Sequence, residues 1–305
     1  MTVLVGYLAP EGFLPQLLRE LDGRVRQVHG RLVLGDAPDG VDDPDNQPAW
    51  VANTWLEPRR LTVSSIGDAA RQLRDLQRNW ALYPDGHHRR AALIAAKLPS
   101  FSARPLPFGM PAPAAPLGSW TLLAPGEVLA SARCSSPFVH GEARFVEDRA
   151  APPNRAYLKL WEAFTRLGQR PAAGEVCLDL GASPGGWTWV LASLGARVIS
   201  VDRAPLSPQV ARMPGVTVRQ ESAFGLDPRA AGPVDWLLSD VVCYPARLLR
   251  LVQRWLDAGT ARRFICTVKF QGETDFAAID GFKAIAGSRL VHLHHNKHEL
   301  TWIKV

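Results

Sequence analysis

The sequence predicts an α/β protein: an open, doubly wound, mostly parallel sheet over residues 151–305, behind a smaller α+β unit. Three observations predict it. In the second half, apolar strands alternate with helices. One of those strands runs into a glycine-dense turn, "DLGASPGGW", that opens the next helix. The last two apolar runs, "RLVHLHH" and "ELTWIKV", have no helix between them, so they must pair antiparallel.

The bulk properties bound the reading. A chain of 305 residues is long enough for two domains with real cores. At 47% hydrophobic residues it is globular and not disordered. No apolar stretch reaches the roughly 18 residues of a membrane span. The start "MTVLVGYLAPEG" lacks the basic flank and apolar core of a signal peptide. Cys134, Cys177, Cys243 and Cys266 form no CxxC pair and suit a reducing cytoplasm. Charge is uneven. Residues 1–150 hold 16 Lys+Arg and 16 Asp+Glu, so the whole excess of +6 lies in residues 151–305. An excess of that size fits a polyanionic partner, and also a surface tuned for solubility.

The elements follow in order. "TVLVGYLA" reads as a strand, "EGFLPQLLREL" as an amphipathic helix and "RVRQVHGRLVLG" as a second strand. An acidic, Pro-rich loop, "DAPDGVDDPDNQPA", precedes more strand pattern in "WVANTWLEPRRLTVSSI". "GDAARQLRDLQRNWALYP" and "HHRRAALIAAKL" read as helix. This β-α-β-β-α order predicts a ferredoxin-like α+β domain over residues 1–100. Residues 101–150 hold a Pro-rich linker, "PSFSARPLPFGMPAPAAPLG", and a hairpin, "SWTLLAPGEVLASARC". Residues 151–305 form the doubly wound domain, from the helix "NRAYLKLWEAFTRLG" onward.

In an open α/β sheet the ligand lies at the carboxyl ends of the strands. Glycines in the first strand-to-helix turn let backbone approach it, and the following helix offers free N–H groups. The candidate contacts are Asp179, Gly181, Ser183, Pro184, Gly185, Gly186 and Trp187. Ser183 stands where a dinucleotide fingerprint needs glycine, and Pro184 follows it, which argues against a nicotinamide cofactor. Asp202 ends the next strand, where an acid accepts hydrogen bonds from a ribose diol. These parts fit an adenosine-bearing ligand without a pyrophosphate, S-adenosylmethionine in the first place. Of Trp187 and Trp189, one is expected in the core and one at the pocket.

Only six of the 35 basic residues are lysines. Arginine does not lose its proton in a protein, whereas lysine can. Lys269 ends the strand "FICTVK" at the same sheet edge as the glycine turn. Asp240 ends "WLLSD", Glu299 opens the antiparallel last strand at that edge, and Lys159 lies in the helix before the first strand. Each alone reads as a surface charge; their joint placement reads as a site.

In "NRAYLKLWEAF", "DLGASPGGW", "LLSD", "TVK" and "ELTWIKV" the chain resembles the FtsJ-like RNA ribose 2'-O-methyltransferases. The resemblance covers residues 151–305. It implies a Rossmann-like class I methyltransferase domain, S-adenosylmethionine as donor, and a catalytic Lys-Asp-Lys-Glu tetrad matched by Lys159, Asp240, Lys269 and Glu299. Asp240 would also face the donor. It implies large-subunit ribosomal RNA as substrate and an N-terminal RNA-binding domain of THUMP type. Where that family places an acid for the adenine amino group, "VRQESAFGL" offers Ser222 next to Glu221.

The chemistry fits these residue types. A ribose hydroxyl must lose its proton as it attacks a methyl sulfonium, and a lysine able to shed its proton can accept it or orient the hydroxyl. No metal is expected. His292 and His294 alternate along "HLHHNKH" and read as a wet sheet edge near RNA, since no acid or cysteine cluster completes a metal site. Arg71, Arg74 and Arg78 fall on one helical face, with Arg89, Arg90 and Lys97 nearby, a solvated or phosphate-tracking face. The competing classes are a non-catalytic RNA-binding assembly factor on the same fold and a nicotinamide oxidoreductase. Transfer to a different RNA, a tRNA or an mRNA cap, is a further alternative.

Overall fold

The structure, a computed structural model, describes residues 4–305. The chain divides into two compact units. The first ends at Leu106 and resumes over Pro111–Arg144; the second takes in Pro107–Met110 and Phe145–Val305.

The first unit holds two small sheets. β1 (Leu4–Leu8), α1 (Leu14–Glu20), β2 (Val25–His29), β3 (Leu32–Asp36) and β4 (Asn53–Trp55) give an antiparallel sheet in the order β2-β3-β1-β4. Thr2 and Val3 of the predicted first strand lie outside the described residues. The next predicted strand run is broken at Pro58, which has no N–H for a ladder. After it, β5 (Arg59–Thr62) joins a second sheet. α2 (Ile66–Leu76) starts at Ser65, whose hydroxyl accepts from the Asp68 N–H.

The predicted continuation of α2 into "RNWALYP" does not occur. Gln77 turns extended, and the Trp80 indole N–H reaches the carbonyls of Leu73 and Gln77. β6 (Trp80–Leu82) follows, then α3 (His88–Ala95), β7 (Gly118–Ala124) and β8 (Glu127–Ser131). The second sheet runs β5-β8-β7-β6, with β6 parallel to β7 and the other pairs antiparallel. The predicted hairpin is thus the centre of this sheet. Trp80 and Trp120 anchor its core with Leu73, and Trp55 packs with Leu8 and Leu129 in another. On α2, Arg71 is bridged by Asp68 and Asp75, and Arg74 donates to the Lys97 carbonyl.

The second unit is one seven-stranded sheet with helices on it. Its elements are α4 (Tyr157–Leu167), β9 (Val176–Leu180), α5 (Gly186–Ser193), β10 (Arg197–Val201), α6 (Pro208–Ala211), β11 (Val216–Arg219), α7 (Pro228–Ala231) and β12 (Val234–Ser239). They continue with α8 (Pro245–Ala258), β13 (Ala261–Lys269), α9 (Phe276–Lys283), β14 (Arg289–Val291) and β15 (Glu299–Lys304). The strand order is β11-β10-β9-β12-β13-β15-β14. The first five are parallel, and β15 inserts antiparallel between β13 and β14. This is the Rossmann-like mixed sheet that the sequence predicts.

From β9 the chain winds outward through β10 to β11, then returns to β12 and winds the other way. Strand order reverses between β9 and β12. Neighbouring connections there leave to opposite faces, so a crevice opens at the carboxyl ends of that pair. Among the described residues no helix is long and apolar enough to cross a membrane.

Candidate active site

The crevice is tight at its floor. Gly181 follows β9 with φ +79°, and a Cβ there would come within 2.6 Å of Val241 Cα, just past β12. Only glycine lets the two chain segments lie this close. Gly185 stands before α5 with φ +116°, and a Cβ there would be 2.9 Å from a Val210 methyl. Any side chain at Gly185 is therefore strained twice, by dihedral and by contact. Between them, Ser183 N–H donates to Asp202 Oδ2 at 3.1 Å, and Ser183 Oγ donates to the Pro205 carbonyl. The Pro184 carbonyl accepts from Ser207 N–H. Asp202 Oδ1 accepts from Ala204 N–H at 2.9 Å. The turn is thereby fastened to the end of β10, and Gly186 opens α5 with its first-turn amides unspent by any side-chain cap.

Two of the predicted contacts lie deeper. Trp187 is buried, and its indole N–H donates to the Ala156 carbonyl, fastening α5 to the start of α4. Trp189 packs edge-on to Tyr157 and tilted against Trp161. Asp179 is 0% exposed. Its Oδ2 accepts from Thr188 Oγ1 at 2.7 Å, while Oδ1 has no partner. Ser222 lies beyond β11, beside an Arg219–Glu221 ion pair at 2.6 Å.

Burial pushes the Asp179 carboxyl up to about 7, with the charges of Asp240 and Asp202 adding to it and Thr188 opposing. The folded state then holds a proton that the unfolded chain has lost, so stability falls as pH rises from about 4 to about 7 and is level above. Asp179→Asn removes that loss. Relative to the wild type, the variant should gain stability between pH 5 and pH 8, by about 2–3 kcal/mol at most. Urea unfolding at the two pH values measures it; an unchanged difference would show that Asp179 ionises normally.

The four polar groups singled out in the sequence converge. Every apolar residue in the first two turns of α4 is buried, so the stem of Lys159 is buried with them and its side chain is 9% exposed. Its Nζ reaches Asp240 Oδ1 at 2.6 Å and Glu299 Oε1 at 3.2 Å. Lys269 ends β13 directly opposite Glu299 in the ladder. Its Nζ donates to the Asp240 carbonyl at 2.6 Å and lies 3.1 Å from Asp240 Oδ1. One carboxylate oxygen therefore serves two ammonium groups, and a second carboxylate closes the set on the far side. Two positive and two negative charges balance in a largely buried cluster, which is how such charges are tolerated there.

The sequence reading missed what holds this cluster. Glu162, three residues beyond Lys159 on α4, is fully buried. It accepts from Arg166 Nε at 2.8 Å and from the backbone N–H groups of His294 and His295 at 2.9 and 3.1 Å. Asn296 donates from its side chain to Glu299 Oε1 and accepts from Leu293 N–H and Thr301 Oγ1. The i,i+4 spacing of Glu162 and Arg166 on one helix was the available signal. The histidines differ from expectation too. β14 stops at Val291, so His292 and His294 are not alternate residues of a strand. His292 is buried, and burial lowers its pKa to about 4. Among the described residues no group of three or more His, Cys, Asp or Glu could hold a metal ion.

Residues 152–275 match the model of a family described as FtsJ-like methyltransferase. Lys159, Asp240 and Lys269 fall inside the match and Glu299 beyond it. A 157-residue stretch is 40% identical to "Ribosomal RNA large subunit methyltransferase M" of Halorhodospira halophila, covering 49% of this chain and 46% of that protein. A 164-residue stretch is 37% identical to the protein so named in Aromatoleum aromaticum, covering 48% and 44%. The chain thus spans about half the length of the curated relatives it matches. Among solved structures, TrmN from Thermus thermophilus aligns over 99% of both chains at 15% identity with a TM-score of 0.38, a likeness too loose to carry an argument.

Proposed function

We propose that this chain is an RNA methyltransferase, because residues 152–275 match the FtsJ-like methyltransferase family model. In this reading it moves the methyl group of S-adenosylmethionine to a ribose 2'-hydroxyl of large-subunit ribosomal RNA. The observation that carries the reading is the meeting of Lys159, Asp240, Lys269 and Glu299 in one ion-paired cluster at the strand-order reversal. The relatives' names supply the substrate class.

The residues present fit the donor. Glycine at positions 181 and 185 lets the turn lie against Val241 and Val210, which fixes the course of its backbone beside the crevice. Asp202 offers a carboxylate to a ribose diol, and the start of α5 offers amides. When bound, the donor supplies an electrophilic methyl group on a sulfonium. Asp240 offers the negative charge that suits that cation and holds both lysines by one oxygen. Lys269, once it has given up its own proton, orients the hydroxyl and takes the hydroxyl's proton as the new O–C bond forms and the methyl–sulfur bond breaks, and the leaving thioether carries no charge, so no metal is needed. Lys159 steers the nucleotide and steadies Asp240. Glu299, held by Asn296, fixes the far side of the network.

Unit 1 is the RNA-binding part in this reading, of ferredoxin-like, THUMP type. The β2-β3-β1-β4 order with α1 crossing between β1 and β2 supports it, as do the basic side chains of α2 and α3. Such an enzyme works in the cytoplasm, where its substrate is. Rising salt should weaken RNA binding steeply, because phosphate contacts release counterions.

The test is methyl transfer to an in-vitro large-subunit ribosomal RNA transcript, with mapping of 2'-O-methylated positions. No transfer at saturating donor would refute the reading. Asp202→Ala should weaken the donor by about 1.5–3 kcal/mol, roughly 10- to 150-fold, the scale of a lost charge-assisted hydrogen bond. Calorimetric titration measures it, and an unchanged affinity would remove Asp202 from the donor site.

A further inference from the structure

The segment after Asp240 carries a feature that the methyl-transfer chemistry leaves unused. Its side chains alternate. Val241 lies over the Gly181 backbone. Val242 is 74% exposed, Cys243 is buried, Tyr244 is 66% exposed, and Pro245 is buried as the first residue of α8. Val242 and Tyr244 are the two most exposed large hydrophobic side chains among the described residues.

The backbone beneath them is pinned at both ends. Ser239 Oγ bonds the Leu180 carbonyl at 3.0 Å and lies 3.4 Å from Val241 N–H. The Tyr244 carbonyl accepts from Arg247 N–H at 2.9 Å and Leu248 N–H at 3.2 Å. The segment also stays close to the tetrad. Burial raises the Cys243 thiol pKa, and the charges of Arg247 and Lys269 act on it in the opposite sense. An aromatic ring and a branched aliphatic are thus held out into solvent on fixed backbone, two and four residues from the carboxylate that gathers both lysines. Folding alone gives no reason to expose them there.

On the reading of this site as an RNA methyltransferase, we propose that Tyr244, with Val242 beside it, is the platform on which the base of the methylated nucleotide stacks. A protein that selects one RNA nucleotide mostly takes it from a single-stranded stretch, with its base splayed out of the stack onto an aromatic side chain. An exposed aromatic face replaces the stacking that the base gives up. Neither side chain carries charge, so an ion pair with phosphate is not what they supply. Stacking accepts any base, so Tyr244 positions the nucleotide and does not read its identity.

The test compares the wild type with Tyr244→Ala and Tyr244→Phe in methyl transfer to an in-vitro large-subunit ribosomal RNA transcript, with donor affinity measured separately. Tyr244→Ala should raise the KM for RNA by about 5- to 150-fold, the range of one lost base–aromatic stack. Donor affinity should not move, and Tyr244→Phe should restore the RNA KM. A Tyr244→Ala enzyme with the wild-type RNA KM overturns the proposal. So does a Tyr244→Phe enzyme as impaired as Tyr244→Ala, because the hydroxyl and not the ring would then matter. A wild-type chain that transfers no methyl group overturns the enzymatic reading and this proposal with it.

Discussion

Lys269→Arg should lower methyl transfer by at least about a hundredfold, the low end of general-base effects, while donor and RNA binding stay near the wild-type level. Lys269 Nζ sits 2.6 Å from the Asp240 carbonyl and 3.1 Å from its carboxylate. Arginine keeps the positive charge, so any role that needs only charge survives the change. It keeps its proton at all working pH values, and its planar fork cannot occupy the place of a tetrahedral ammonium. Lys269→Ala should be similarly slow. Single-turnover transfer at saturating donor separates chemistry from binding. A Lys269→Arg enzyme near the wild-type rate would reduce Lys269 to a charge and end the proton-transfer mechanism.

Asp240→Ala should both inactivate the enzyme and destabilise the second unit, by about 3–5 kcal/mol, as when one member of a buried ion pair is removed. Lys159 and Lys269 now share Asp240 Oδ1; without it, two largely buried ammonium groups have only Glu299 between them. Adding Lys159→Met removes one stranded charge and keeps the buried stem. The double variant should recover most of the stability and none of the activity. Urea unfolding and methyl transfer on the three proteins read both. If Asp240→Ala is as stable as the wild type, the cluster does not balance charge in the way its distances imply.

These residues also show what a sequence can and cannot disclose. The parallel sheet was legible because strands buried on both faces, such as "VCLDL" and "WLLSD", read as continuous apolar runs. Lys159, Asp240, Lys269 and Glu299 were legible because strand ends and helix starts define one sheet edge. Glu162 and Asn296 were not. Glu162 works through backbone contacts with a distant loop, and Asn296 through the folded shape of the turn between β14 and β15, and pattern carries no information on either. The end of α2 was missed for a related reason. Its stop depends on Trp80 capturing the Leu73 and Gln77 carbonyls, while "RNWALYP" by itself continues a plausible helical pattern. The hairpin of β7 and β8 was seen, but not its partners β5 and β6, because strand pairing across tens of residues leaves no periodic trace.

The insertion of β15 between β13 and β14 bears on when the protein becomes active during its own synthesis. On a translating ribosome, β9 to β14 emerge before β15 does. Until then β13 and β14 have no strand between them, and Glu299 is absent from the edge where Lys159, Asp240 and Lys269 wait. Closing that gap demands contacts between residues far apart in the chain, the slow kind of step in folding. The four-residue cluster is therefore complete only once β15 has emerged and paired with β13 and β14.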